Sequence, residues 1–158
     1  PRAHKPLTEA FRSHQVQKRY WALVAGQPED NTGVFCSQLA KRRSTNRMVS
    51  VKRGGKEAET RYKVLQANET VSLVEVELVT GRSHQIRVHF SEAGMPLLGD
   101  TLYGGPEKIL GLPVARQMLH AKDLSFKHPV SQQSVAFQAP LPDDFAQVMK
   151  HVLGEKVC

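Results

Sequence analysis

The sequence predicts an α+β domain built on a mainly antiparallel sheet, and three observations carry that prediction. Thr60, Tyr62 and Val64, then Val74, Val76 and Leu78, alternate with polar neighbours across a turn at 66–69. That is the period of half-buried strands joined as an antiparallel hairpin. A second hairpin follows: Leu124 and Phe126, the His128-Pro129-Val130-Ser131 turn, then Val135, Phe137 and Ala139. Elsewhere the period lengthens to that of a helix. Ile86, Phe90 and Ala93 form one buried stripe, and Phe145, Val148, Met149 and Val152 form another behind Pro142. A chain of 158 residues makes one domain with a substantial core.

The remaining elements follow in order. Leu7, Ala10 and Phe11 share a face of a short helix over 7–14, and His14 continues it. Residues 19–25, Arg19 to Ala25, are apolar on both faces and end at Gly26, which reads as a buried strand. Tyr20 within it packs its ring and needs a partner for its hydroxyl. Residues 31–57 form a long segment of weak periodicity, with turns at Ser44-Thr45-Asn46 and Gly54-Gly55. Gly81 then breaks the preceding strand, Ser83 is placed to cap the helix that follows, and Gly94 sits where a left-handed cap ends it. Asp100, between Gly99 and Thr101, reads as an Asx-type turn. Residues 106–118 read as an irregular or partly helical connection, and Gly154 ends the last helix.

Charge narrows the partner. Net charge is +7, from 22 Lys+Arg against 15 Asp+Glu. No acid lies between Asp30 and Glu57, where Lys41, Arg42, Arg43, Arg47, Lys52, Arg53 and Lys56 all fall. Such a concentration is the electrostatic footprint of a polyanion, most often a nucleic acid. Other classes are disfavoured. No apolar run approaches the roughly 18 residues of a bilayer span, and Pro1 to Lys5 lacks a signal-peptide core. Cys36 and Cys158 form neither a disulfide framework nor a zinc site, which points to a reducing, cytoplasmic compartment. His84 and His89 stand five apart, not the four that puts two ligands on one helix face, so no metal is expected. Gly54-Gly55-Lys56 with Thr60 has the wrong spacing for a P-loop, and Lys41-Arg42-Arg43 is too short a run for a nuclear-localisation patch.

Arg87 lies beside the Ile86 stripe, with His84 and Ser91 on the same side of the helix. A guanidinium on a stiff element suits a carboxylate or phosphate; periodicity alone reads it as a salt-bridge tether. The wording around it says more. Thr80-Gly81-Arg82-Ser83-His84-Gln85-Ile86-Arg87-Val88-His89, then Gly94-Met95-Pro96-Leu97-Leu98-Gly99-Asp100 and Leu102-Tyr103-Gly104, closely resembles the signature of RluA-type RNA pseudouridine synthases. Lys18-Arg19-Tyr20-Trp21-Ala22-Leu23-Val24 resembles that family's Lys-x-Tyr-x-Ala-Leu-Val motif, and the resemblance runs from about residue 7 to residue 150.

The resemblance implies a pseudouridine synthase fold, with a mixed, mainly antiparallel sheet and an RNA cleft along it. It implies isomerisation of a uridine in ribosomal or transfer RNA, without cofactor or metal. A cytoplasmic protein with no membrane attachment, monomeric by default, is expected alongside it, since the sequence itself does not give the oligomeric state. Tyr20 would lie against the uracil and take part in proton transfer. Arg87 would pair with the nucleophilic Asp, and Ile86 would help wall the pocket. The resemblance also implies a variable RNA-contacting loop over 31–57, in which Lys41, Arg42, Arg43, Arg47, Lys52 and Arg53 would contact phosphates, and the target base would be flipped out to reach the site. The family's His-Arg-Leu-Asp-x-x-Thr-Ser-Gly nucleophile motif is not found, and none of Asp30, Asp100, Asp123, Asp143 or Asp144 stands in it. Residues 1–158 are therefore expected to be the C-terminal portion of a catalytic domain, with a partial fold, an Arg87 deprived of its partner and no activity alone. Two alternatives remain: a non-catalytic RNA-binding protein of the same fold, and a general nucleic-acid-binding protein, which the length of the Thr80–Gly104 match disfavours.

Overall fold

The computed structural model of the chain describes residues 17–128 and 130–154. The helix expected over 7–14 lies outside the described residues. A seven-stranded sheet runs in the order β3-β2-β4-β5-β1-β8-β9. Its strands are β1 (Gln17–Ala25), β2 (Thr32–Lys41), β3 (Met48–Val51), β4 (Lys56–Ala67), β5 (Val71–Leu78), β8 (Leu119–Lys127) and β9 (Ser134–Gln138). β6 (Lys108–Ile109) and β7 (Leu112–Pro113) form a separate small hairpin. Every ladder among the described residues is antiparallel. Among the described residues two helices, α1 (Gln85–Glu92) and α2 (Asp143–Leu153), complete the α+β architecture.

Alternation along the two central strands sorts the core. Ala22 and Val24 of β1, with Val74 and Val76 of β5, face α1 and pack with Ile86, Phe90 and Leu97. Leu23, Val71 and Leu73 face the other way and pack with Phe145, Val148 and Val152 of α2. A strand covered on both faces carries no polar alternation, which is why β1 reads as a continuous apolar run. α2 follows the expected stripe between Pro142 and Gly154.

Three expectations are corrected. Residues 31–57 are β2, β3 and the start of β4, not a long loop. The inward positions of β2, Phe35, Ser37 and Leu39, include a serine, and this hides the apolar alternation. Residues 106–118 hold the β6–β7 hairpin and no helix. Ser83 does not cap α1. His84 occupies that position with φ 54°, and no side chain caps the helix from there.

Candidate active site

A cavity of about 260 Å³ opens between β1, β5 and the start of α1. Its apolar wall is Leu78, Ile86 and Leu119, beside the ring of Tyr20, and its polar wall includes Arg82, His84, Arg87 and Gln117. Tyr20, Ile86 and Arg87, singled out separately from the sequence, thus meet at one place. Tyr20 points to this side because it shares the parity of Ala22 and Val24. The β1–β8 register also shifts between Arg19 and Tyr20, and a bulge re-aims the side chain beside it. Burial pushes the Tyr20 hydroxyl above its ordinary pKa, so it stays a neutral phenol. Among the described residues no acid lines the cavity.

Arg87 is not deprived of a partner, and Asp100 does not spend its side chain on a turn. The Arg87 Nε and Nη2 each donate to one Asp100 carboxylate oxygen at 2.8 Å. This is the bidentate fork that a guanidinium and a carboxylate form best. The Asp100 side chain is 0% exposed and that of Arg87 14%. Hydrogen bonding to Asp100 raises the Arg87 pKa, against the opposing pull of burial. The expectation failed because sequence separation hides the approach: the Gly99–Gly105 turn brings Asp100 back beneath α1. Gly99 has φ 78°, and a Cβ at Gly99 or Gly105 would run into backbone oxygen, so the turn needs both glycines.

Tyr103, in the short 3-10 turn Thr101–Tyr103, joins the cavity to the basic segment. Its hydroxyl accepts the Met48 N–H at 2.8 Å and lies 2.7 Å from His84 Nδ1. Its ring carries the Arg87 guanidinium on one contact, at 5.0 Å, and that of Arg47 on another, at 5.3 Å. Cation–π attraction and the Asp100 charge offset the repulsion between the two cations.

The other basic residues stand on turns. Lys41 ends β2, Arg42 and Arg43 lie in the β2–β3 turn, and Lys52 and Arg53 lie in the β3–β4 turn; all five are exposed. Arg47 is half-buried, and its Nε has no partner among the described residues. None of these six makes an ion pair among the described residues, which leaves their charge available to an anion. Among the described residues no three His, Cys, Asp or Glu side chains gather as a metal site, and no helix is long and apolar enough to cross a membrane.

Two buried polar residues of α1 went unrecognised in the sequence. Gln85 accepts from Thr80 Oγ1 and the Arg82 N–H, and donates to the Glu59 carbonyl and Thr60 Oγ1. It ties the start of α1 to β4 and to the turn before it. His89 lies 2.9 Å from Ser37 Oγ through Nε2 and 2.7 Å from Thr60 Oγ1 through Nδ1. Burial lowers its pKa, so it is a neutral core histidine. The available signal was a glutamine and a histidine adjoining the apolar stripe.

A family model described as RNA pseudouridylate synthase matches residues 1–92. The ribosomal large subunit pseudouridine synthase D of Neisseria meningitidis serogroup A is 48% identical over 157 residues, covering 93% of this chain and 41% of that protein. An uncharacterized RNA pseudouridine synthase of Mycobacterium bovis is 38% identical over 157 residues, covering 98% of this chain and 50% of that protein. The chain spans about half the length of the curated relatives it matches. Among solved structures, the human RNA pseudouridylate synthase domain containing 4 aligns with a TM-score of 0.77 at 29% identity, over 92% of this chain and 66% of that one. Sequence, sheet and cavity agree, and the chain belongs to the RNA pseudouridylate synthase family.

Proposed function

We propose that these residues form the C-terminal portion of a catalytic domain that isomerises a uridine to pseudouridine in ribosomal RNA, with transfer RNA as the alternative substrate. The convergence of Tyr20, Ile86 and Arg87 on one cavity carries the reading. Ribosomal RNA is favoured because relatives up to 48% identical bear the name of a ribosomal large subunit synthase. In this reaction the base is detached from its ribose, turned and rejoined through carbon. Tyr20 stacks on the flipped-out uracil and serves the proton transfer at that carbon, and Ile86 holds the opposite edge. Arg87 keeps the nucleophilic carboxylate ionised and oriented. Asp100 takes two of its five N–H donors, leaving three for that second carboxylate.

The nucleophile itself comes from outside these residues. Among the described residues no acid lines the cavity, and both oxygens of Asp100 are held by Arg87. On this reading the 158-residue chain is inactive by itself. The same observation favours a second reading, a non-catalytic RNA-binding module. One experiment separates them: the full-length native polypeptide and this chain are incubated with ribosomal RNA, and pseudouridine is measured by mass spectrometry of nucleosides. Formation by the full-length protein alone is expected. Binding with no pseudouridine from either would establish the non-catalytic module.

A further inference from the structure

His84 stands in the cavity wall and has no task in the reaction above. It holds φ 54° and ψ 19° at the entry to α1. This left-handed region is uncommon for a residue with a Cβ, and histidine is among the few that enter it. Backbone strain of this kind gathers at binding and catalytic sites. Here the backbone conformation gives no side-chain helix cap. Instead the imidazole meets Tyr103, its ring edge-on to the phenol at 86° and 5.5 Å between centroids.

One assignment of the ring proton lets each group of the Met48–Tyr103–His84 chain donate in turn. The Tyr103 oxygen already accepts the Met48 N–H. Its own hydrogen is left to donate, and His84 Nδ1 stands 2.7 Å away as the acceptor. Burial and the neighbouring Arg87 keep the ring neutral. With Tyr103 donating to Nδ1, the single ring proton sits on Nε2, for which no hydrogen bond is found among the described residues. A neutral imidazole with Nδ1 occupied and Nε2–H free is a fixed donor, oriented by its partner.

We propose that His84 is a substrate-contacting residue whose Nε2–H donates to an oxygen of the target nucleotide beside Arg87, either a phosphate oxygen or a uracil carbonyl. This rests on the synthase reading above. Losing one such hydrogen bond costs roughly tenfold or more in rate when the acceptor is charged and less when it is neutral.

The test uses the full-length protein and two variants that separate the ring nitrogens. Asparagine tolerates the left-handed backbone and its amide can replace Nδ1 toward Tyr103, but it cannot reach where Nε2 stands. Glutamine reaches the Nε2 position and gives up the Tyr103 bond. H84N is expected to lose roughly tenfold in kcat/KM, while H84Q stays within about threefold of wild type; thermal melts check that both are folded. Wild-type turnover in H84N, or equal loss in both variants, overturns the proposal. An RNA with a neutral methylphosphonate at the target nucleotide separates the acceptors: a phosphate contact narrows the gap between H84N and wild type on it, because the charge is gone, and a carbonyl contact leaves the gap. Histidine ¹⁵N spectra of the wild-type protein provide a check that needs no variant. A proton on Nδ1 in place of Nε2 overturns the proposal. No pseudouridine from the wild-type protein overturns the synthase reading beneath it, a different result from an active wild type with an indifferent His84.

Discussion

Replacing Asp100 with Asn removes a charge and leaves the shape. In the native protein each Asp100 oxygen takes one Arg87 N–H at 2.8 Å, with the carboxylate fully buried and the guanidinium nearly so. An amide presents one acceptor and one donor to the same fork, so one bond survives and the other becomes a donor facing a donor. Breaking a buried pair from one side costs about 3–5 kcal/mol. The surviving bond and the partial exposure of Arg87 put D100N at the low end, about 3 kcal/mol. At roughly 2–4 °C per kcal/mol for a chain of this size, the melting temperature falls by about 6–12 °C, read by circular dichroism. The double variant R87M/D100L removes both charges and fills similar volume, so it recovers most of that loss but forms no pseudouridine. In the full-length protein D100N lowers turnover while its RNA affinity stays within about twofold, because Asp100 acts through Arg87 and touches no phosphate. A D100N protein that melts within about 1 °C of wild type and keeps its turnover would refute the reasoning.

Three further outcomes are expected. G99A places a Cβ against the Arg116 carbonyl at a residue with φ 78°, so it destabilises by about 1–3 kcal/mol in urea unfolding and lowers turnover by displacing Asp100; unchanged stability would contradict the close approach of Gly99 to Arg116. His89 is buried with its pKa below its ordinary 6.5, so the unfolded chain binds the extra proton first. Stability is complete above about pH 6.5 and is lost as pH falls through the lower folded value; H89Q flattens that slope in unfolding curves taken between pH 5 and 7.5, and an unchanged slope would assign the dependence elsewhere. R42Q/R43Q removes two phosphate contacts, which lowers the slope of log K against log salt by about 1.4 for single-stranded RNA, at roughly 0.7 per contact; an unchanged slope would take these arginines out of the interface.

What is legible in the sequence depends on how local the physics is. β1, the β4–β5 and β8–β9 hairpins and α2 can be read because each announces itself through periodicity within its own residues. β2 and β3 escape because the inward row of β2 carries Ser37, which bonds His89, a residue 52 positions along the chain. The Ser83 cap is a sound local inference. It fails because His84 enters α1 in the left-handed conformation, and Gln85 anchors the helix start to Glu59 and Thr60, partners that only the fold brings near. Tyr20, Ile86 and Arg87 can be named from motifs, but nothing in their spacing shows that they share a cavity. Asp100 misleads for the same reason. A turn aspartate and an aspartate buried against a helix 13 residues back look alike until the Gly99–Gly105 turn is folded.

Tyr103 explains why the basic residues need an ordered sheet edge. A mobile basic loop attracts RNA as well as a fixed one, since the attraction is long-ranged and does not depend on orientation. It cannot hold a phosphate in register with a base pocket, because each bound state must first order the loop. In this chain Arg42 and Arg43 at the turn are exposed, while Arg47 is half-buried with its guanidinium over the Tyr103 ring. The same ring faces Arg87, the Tyr103 hydroxyl holds the start of β3 and His84 together, and the Tyr103 carbonyl accepts Ser91 Oγ from α1. Under the proposed function, capture at the tip and alignment at the base fall to different arginines of one hairpin. An RNA strand held at Arg47 would then already be placed with respect to the cavity holding Tyr20 and Arg87.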